Sequence, residues 1–284
     1  MPYCSPIGIM PIIDHNNAHK FIDPRVDGIV RRCAMLPRDQ QRHPDGNCGF
    51  AALRPLKPFS KSEIIAQIKQ RDEERSGLRH ILGPQGMNIP VKDQGPILYC
   101  WIYSTVDTQQ IMSATQGDGY VALSATAAGT MITGGRNRGG YGAEAIEFLA
   151  QHGTCLESEW REHQINLRLR TPAVLESCKR HRLEQWGELP RGDLNQLATA
   201  VLLNIPVTIG LNWWGHQVTI IDVVLLAGGV IGFVFRNSWG TRWGDNGYGV
   251  LTPEKARGDM FYPISVLPRD ETADSRTREY RLAG

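Results

Sequence analysis

Apolar residues recur along this chain in two rhythms, helical in its first two thirds and strand-like in the last. From Lys61 to Leu82, Ile64, Ile65, Ile68, Leu78 and Ile81 are spaced by charged residues, which predicts an amphipathic helix that breaks near Ser76-Gly77. A compact body is expected from about Ile89. Trp101, Ile102, Thr105, Val106 and Gln109 predict a buried helix over 100–112, with Gly95-Pro96 punctuating its approach. Ala145, Ile146, Phe148 and Leu149 predict a second over 141–151, and Asp193 is placed to cap a third through Leu194, Leu197, Ala198 and Val201. After Pro206 the pattern changes to β-branched alternation: Val207-Thr208-Ile209, Val218 to Leu225, Val230 to Phe235 and Tyr248 to Leu251. The apolar run from Val218 to Phe235 approaches membrane-span length, but Asp222 and Ala227-Gly228-Gly229 interrupt it, so two strands and a turn are expected. A helical half followed by a β half implies an α+β chain of two lobes with a cleft between them.

The ends read differently. Residues 1–60 are rich in Pro, Asp, Asn and Arg and predict an extended arm with short turns. With the amphipathic helix they form an N-terminal extension over 1–85, a propeptide or an anchoring segment. The body then spans 86–267 and a polar tail 268–284, and arm and tail are both candidates to dock an assembly partner. Composition changes little in this picture: 41% hydrophobic and 21% charged residues fit a globular body. The net charge of +2, from 31 basic and 29 acidic residues of mixed placement, argues against a nucleic-acid partner. Pro6 and Pro11 interrupt the first apolar residues and no basic region precedes them, so no secretory signal is expected. Six cysteines without a CxxC pair point to largely reduced thiols, not a metal site, and no cofactor is expected.

Thiol-catalysed amide hydrolysis needs a sulfur nucleophile, an imidazole to take and return its proton, and donors for the oxyanion. Cys100 opens the buried helix, where unpaired backbone N–H groups and the helix dipole favour a thiolate. Gln94 lies six residues upstream and offers a side-chain amide. His216 stands at the entrance to a strand and Asn237 at the end of the next, a placement that brings imidazole and amide together.

Val91-Lys92-Asp93-Gln94-Gly95 followed by Cys100-Trp101 resembles the segment of the papain-like cysteine peptidases that carries the oxyanion glutamine and the nucleophile. The run Asn237-Ser238-Trp239-Gly240-Thr241-Arg242-Trp243-Gly244-Asp245-Asn246-Gly247-Tyr248 is similar to that family's asparagine motif almost throughout. The resemblance covers roughly residues 89–262. It implies a papain-like two-lobe fold, with a helical left lobe, a β-rich right lobe and the site in the cleft. It further implies a cysteine-type endopeptidase acting on a peptide or protein through an acyl-enzyme, with Cys100, His216, Asn237 and Gln94 catalytic and Cys100 and His216 forming an ion pair. Gly139, Gly140, Tyr141 and Trp239 would line the substrate side. Gly140 would pair with substrate backbone, and Trp239 would shield the Asn–His hydrogen bond.

Where the family has Cys-Gly-Ser before the nucleophile, this chain has Ile97-Leu98-Tyr99, and the partner position near Asn137 is not cysteine. Missing disulfides fit a reducing or enclosed setting, inside a cell or an assembly such as a virus particle. The bulk of Tyr99 is expected to narrow the leaving-group side of the cleft. Two other readings stay open: a papain-like scaffold with a binding role in a larger assembly, and a thiol amidase acting on cell-wall peptides. Arg191-Gly192-Asp193 is read as a helix cap, not an adhesion signal. The glycine-rich stretch 134–140 is read as a cleft-lining loop, and Cys48 in its turn is a weak second nucleophile.

Overall fold

A computed structural model describes residues 10–44 and 56–266 of the 284-residue chain. The tail expected over 268–284, and Cys4 and Cys48, lie outside the described residues.

The amphipathic segment forms α1 (Lys61–Glu74) and α2 (Leu78–Ile81), separated where Ser76-Gly77 predicts a break. Ser60 and Glu63 close a capping box on α1, and Arg75 ends it in the left-handed conformation. Ile64 and Ile68 are its buried face, set against the right lobe and away from the cleft. The left lobe is built on α3 (Cys100–Ser113), with α4 (Ala125–Thr133), α5 (Gly142–Gln151) and α6 (Pro172–Arg180) around it. Every residue of α3 from Cys100 to Met112 is buried, which explains its weak sidedness.

The right lobe is a seven-stranded sheet in the order β1-β8-β7-β6-β5-β9-β4. Its strands are β1 (Ile12–Ile13), β4 (Leu183–Leu189), β5 (Val207–Leu211), β6 (His216–Leu225), β7 (Ile231–Arg236), β8 (Tyr248–Leu251) and β9 (Asp259–Val266). The remaining arm strands, β2 (Arg25–Val26) and β3 (Ile29–Val30), form a separate small hairpin. The α7 helix (Leu194–Leu202) is capped by Asp193, whose carboxylate accepts from the Asn195 and Gln196 N–H groups. The β6 and β7 strands form the expected hairpin, with a short turn over Ala227–Gly229. Among the described residues no helix is long and apolar enough to cross a membrane.

Besides the short arm strands β1 to β3, the elements α4, α6, β4 and β9 are additional to those the pattern predicts. In α4 the run Ala125–Thr130 is buried on all sides, so no polar face marks its period. The β4 strand is an edge strand with register shifts against β9, and this blurs its alternation.

The lobes are tied by a buried ion pair. Arg236 Nη2 at the end of β7 lies 3.3 Å from Asp107 on α3, and it donates to the Pro90 carbonyl at 2.6 Å. Replacing Asp107 by alanine strands a buried guanidinium, so this variant is expected to lose about 3–5 kcal/mol of stability. Equilibrium urea denaturation reads this as a lower midpoint at unchanged slope.

Candidate active site

Cys100 is the first residue of α3, and Tyr99 precedes it as the helix cap residue. The loop before them is held without a disulfide: the Leu98 N–H donates to Asn137 Oδ1 at 2.7 Å, at the position where the resemblance would place a cysteine. Tyr99 does not narrow the cleft as expected. Its ring is buried against Gly129, where an added Cβ would meet it at 2.6 Å, and its hydroxyl bonds Thr133 Oγ1 at 2.8 Å and donates to the Arg136 carbonyl at 2.9 Å. Among the described residues all four cysteines are free thiols.

Gln94 is locked between the two motifs. Its backbone N–H donates to the Ser238 carbonyl at 2.8 Å, its Oε1 accepts from Ser238 Oγ at 2.7 Å, and its Nε2 donates to the Ile97 carbonyl at 2.8 Å. An amide nitrogen has two hydrogens, so one is left for a further acceptor.

His216 begins β6, directly opposite Leu211 of β5. Its Nε2 lies 2.8 Å from Asn237 Oδ1, which also accepts from the Ser238 N–H at 2.8 Å. A backbone N–H can only donate, so the amide orientation of Asn237 is fixed, and Nε2 of the imidazole must carry its proton. Nδ1, buried and without a hydrogen-bond partner, is then the free base. Trp239 stacks on the ring with centroids 4.5 Å apart, and Trp214 meets it edge-on at 4.8 Å. Trp239 is fully buried here and covers the imidazole face beside the bond to Asn237.

The start of α3 faces the start of β6: Gln217, next to His216, donates from Nε2 to Thr105 Oγ1 at 3.3 Å. Burial pushes the Cys100 thiol up; backbone hydrogen bonds from Ala34, Gln217, Met35 and Trp101 act against that. Burial also pushes His216 down to about 4, with the Asn237 bond and the charge of Asp23 opposing it. In this form the sites favour neutral thiol and neutral imidazole over the expected ion pair.

The cause is a strap from the arm. Residues 31–36 run between Gly140 and Gly215: the Gly140 N–H donates to the Ala34 carbonyl at 3.3 Å, the Leu36 N–H to the Gly140 carbonyl at 2.9 Å and the Met35 N–H to the Gly215 carbonyl at 2.8 Å. Gly140 must be glycine, because an added Cβ would sit 2.5 Å from the Trp101 ring. Gly139 is pressed as closely against the Ala34 carbonyl, and half-buried Tyr141 borders the strap with its ring 6.2 Å from that of His43. The Met35 side chain lines a small cavity with Gly142, Ala143, Gln217 and Phe261, and its sulfur would lie 2.8 Å from a Cβ on Gly210. Arg31 anchors the strap, with Nη1 2.6 Å and Nη2 3.1 Å from the two Asp93 oxygens beside Gln94. Cys100 and His216 are left fully buried. A local sequence signal for the strap existed, the short apolar run Cys33-Ala34-Met35-Leu36 between Arg31-Arg32 and Pro37-Arg38.

Among the described residues no group of three or more His, Cys, Asp or Glu could hold a metal ion. No family model matches the chain. In sequence it is 24% identical over 187 residues to oryzain beta chain of Oryza sativa subsp. japonica, covering 58% of this chain and 40% of that protein. It is 23% identical to vignain of Phaseolus vulgaris, covering 65% and 56%. In structure it is similar to xylellain, a cysteine protease from Xylella fastidiosa, with a TM-score of 0.57, 16% identity and coverage of 81% and 94%. It is also similar to procathepsin L 3 of the Tenebrio molitor larval midgut, with a TM-score of 0.54, 22% identity and coverage of 61% and 66%. The chain therefore spans 40–56% of the length of these two sequence relatives. Sequence relatives and structural neighbours point to the papain-like cysteine peptidase family, and this chain has that family's two-lobe α+β fold.

Proposed function

We propose that the chain is a cysteine endopeptidase held in a latent form by its own N-terminal arm. The observation that carries this reading is the His216–Asn237 bond under Trp239, which leaves the His216 Nδ1 lone pair free at the end of β6 that faces the start of α3. With the strap lifted, Cys100 passes its proton to His216 Nδ1 and the thiolate attacks a peptide carbonyl. The oxyanion takes hydrogen bonds from the Cys100 N–H and the spare amide hydrogen of Gln94. His216 protonates the leaving amine and the acyl-enzyme forms; His216 then takes a proton from water, which hydrolyses the thioester. Asn237 keeps the imidazole in the required tautomer, and Trp239 keeps water from that bond.

The strap occupies the groove without offering a bond to cut. Its Ala34 carbonyl is turned to the Gly140 N–H and its Met35 N–H to the Gly215 carbonyl. In this reading residues 1–85 are a regulatory extension, 86–267 the peptidase body and 268–284 an appended tail. Gly139, Gly140 and Tyr141 then receive substrate in place of the strap. Relatives solved as precursors, procathepsin L 3 and a recombinant stem bromelain precursor, support an extension of this kind.

The test is incubation of the full chain, its strap displaced by a short acid treatment, with a thiol-directed epoxide and with a mixed peptide library beside cell-wall fragments. One adduct, mapped to Cys100, together with peptide hydrolysis is expected. Hydrolysis that persists after complete labelling of Cys100 removes it from the mechanism, and hydrolysis of the cell-wall fragments alone makes the chain an amidase.

A further inference from the structure

The arm is fastened along the groove by two arginines, one at each end of the strap. Arg31 donates from Nη1 and Nη2 to the two Asp93 oxygens at 2.6 and 3.1 Å; the arginine side chain is 1% exposed and the carboxylate side chain 43%. Seven residues on, Arg38 makes the same two-pronged contact with Glu188 of β4, its Nη1 bonding Oε1 and its Nη2 lying 3.1 Å from Oε2. These side chains are 4% and 9% exposed, and the guanidinium lies 5.4 Å from the centre of the Phe261 ring. Glu188 stands opposite Phe261 in the sheet, and Arg38 and Phe261 both line the Met35 cavity, so the second fork closes that cavity at one end. Gln94 follows Asp93, and His216 follows Gly215, whose carbonyl accepts from the Met35 N–H. The oxyanion donor and the base therefore lie along the strap between the two carboxylates.

Resting on the reading of the chain as a peptidase, we propose that Asp93 and Glu188 are specificity-determining residues that select polypeptides with an arginine on each side of the scissile bond. A planar guanidinium meets a carboxylate with two parallel hydrogen bonds, a match that the point charge of lysine does not give. When the strap lifts, both guanidinium groups leave with it while the carboxylates stay on the body. Asp93 is held in place: its Oδ1 also accepts from the Gly95 N–H at 2.8 Å, and its carbonyl accepts from His163 Nε2 at 2.7 Å. Glu188 is held by the pairing of β4 with β9. Arginines of a substrate restore both forks, and an apolar side chain between them takes the place of Met35. Such a substrate competes with the strap for the same contacts, so it also opposes reclosure.

The test gives the full chain, its strap displaced by a short acid treatment, a mixed peptide library and reads the cut sites by mass spectrometry. Arginine is expected to be enriched at one position on each side of the cut. In matched peptides, exchange of that arginine for norleucine is expected to lower kcat/KM at least ~10-fold at the Glu188 end and ~5-fold at the Asp93 end, where the carboxylate is more open to water. Glu188→Gln should erase the first preference and keep the second, and Asp93→Asn the reverse. A ratio between two substrates does not depend on how much of the chain is open, so loosening of the strap in these variants leaves the readout intact. Cut sites without arginine, or preferences that survive both substitutions, overturn the proposal. If no peptide is cut, the peptidase reading falls, and the carboxylates are scored by fluorescence anisotropy of the labelled matched peptides on the Cys100→Ala chain. The same ratios in Kd support the two arginine sites, and equal binding of arginine and norleucine peptides overturns them.

Discussion

Cys100→Ala is expected to lower turnover of a peptide substrate by at least ~10³-fold, since covalent catalysis has no substitute once the sulfur is gone. The residual rate would come from the oxyanion donors and substrate binding alone. The fold is expected to survive, because alanine keeps the start of α3 helical and leaves a void of only one sulfur atom, at a cost of about 1 kcal/mol. Steady-state kinetics with the strap displaced by a short acid treatment, beside a thermal melt of the same sample, checks both halves. Cys100 and His216 act on one proton, so the double variant Cys100→Ala with His216→Ala should be no slower than the worse single variant. A fully additive double variant, or near-normal turnover in Cys100→Ala, would show that the hydrolysis arises elsewhere.

Why this site was legible in the sequence is a matter of local geometry. Gln94 and Cys100 are six residues apart on one turn leading into α3, and Asn237 to Tyr248 is a continuous stretch between β7 and β8. Their spacing is fixed by a few backbone bonds, so residue identity and position were sufficient. The link between them was not readable: Ser238 joins Asn237 to Gln94 through its carbonyl and its hydroxyl, and only the folded chain brings those residues together. The side-chain fate of Tyr99 was hidden for the same reason. Bulk beside a nucleophile suggests a narrowed cleft, but the space opened by Gly129 on α4 draws the ring inward.

In the rest of the fold, legibility followed the contrast between faces. The β5 to β8 strands alternate or end at glycine turns and stood out, whereas α4 is buried all round and β4 pairs irregularly at the sheet edge. The arm read as extended because its own residues make few regular contacts with one another. What it lies against was set by three distant acceptors, Asp93 for Arg31, Gly140 for Leu36 and Gly215 for Met35. Long-range backbone pairing of this kind leaves no period in the sequence, only a short apolar run between basic residues.

Acidification from pH 7 to 4.5 is expected to lift the strap, shifting its opening equilibrium by ~60-fold, or about 2 kcal/mol. Burial under the strap holds His216 at about 4, against an ordinary value of 6.5, so the open form binds a proton that the closed form excludes. A base with a depressed folded value stabilises the closed form above about 6.5, and that contribution is lost as pH falls toward 4. Cys100 acts on the other side: its raised thiol stabilises the closed form below the ordinary thiol value and loses that contribution as pH rises beyond it. Asp23 faces His216 and partly offsets the acid effect by favouring its charged form. Closure is therefore strongest between near-neutral and mildly alkaline pH. Amide exchange at Ala34, Met35 and Leu36, normalised to an unstructured peptide at each pH, reads the opening directly. Arg31→Ala should raise that exchange at every pH, because it removes the anchor to Asp93 without altering the proton balance. His216→Gln should instead flatten the acid limb. If the limb persists in that variant, another group carries the proton, and the link between burial of the imidazole and latency is lost.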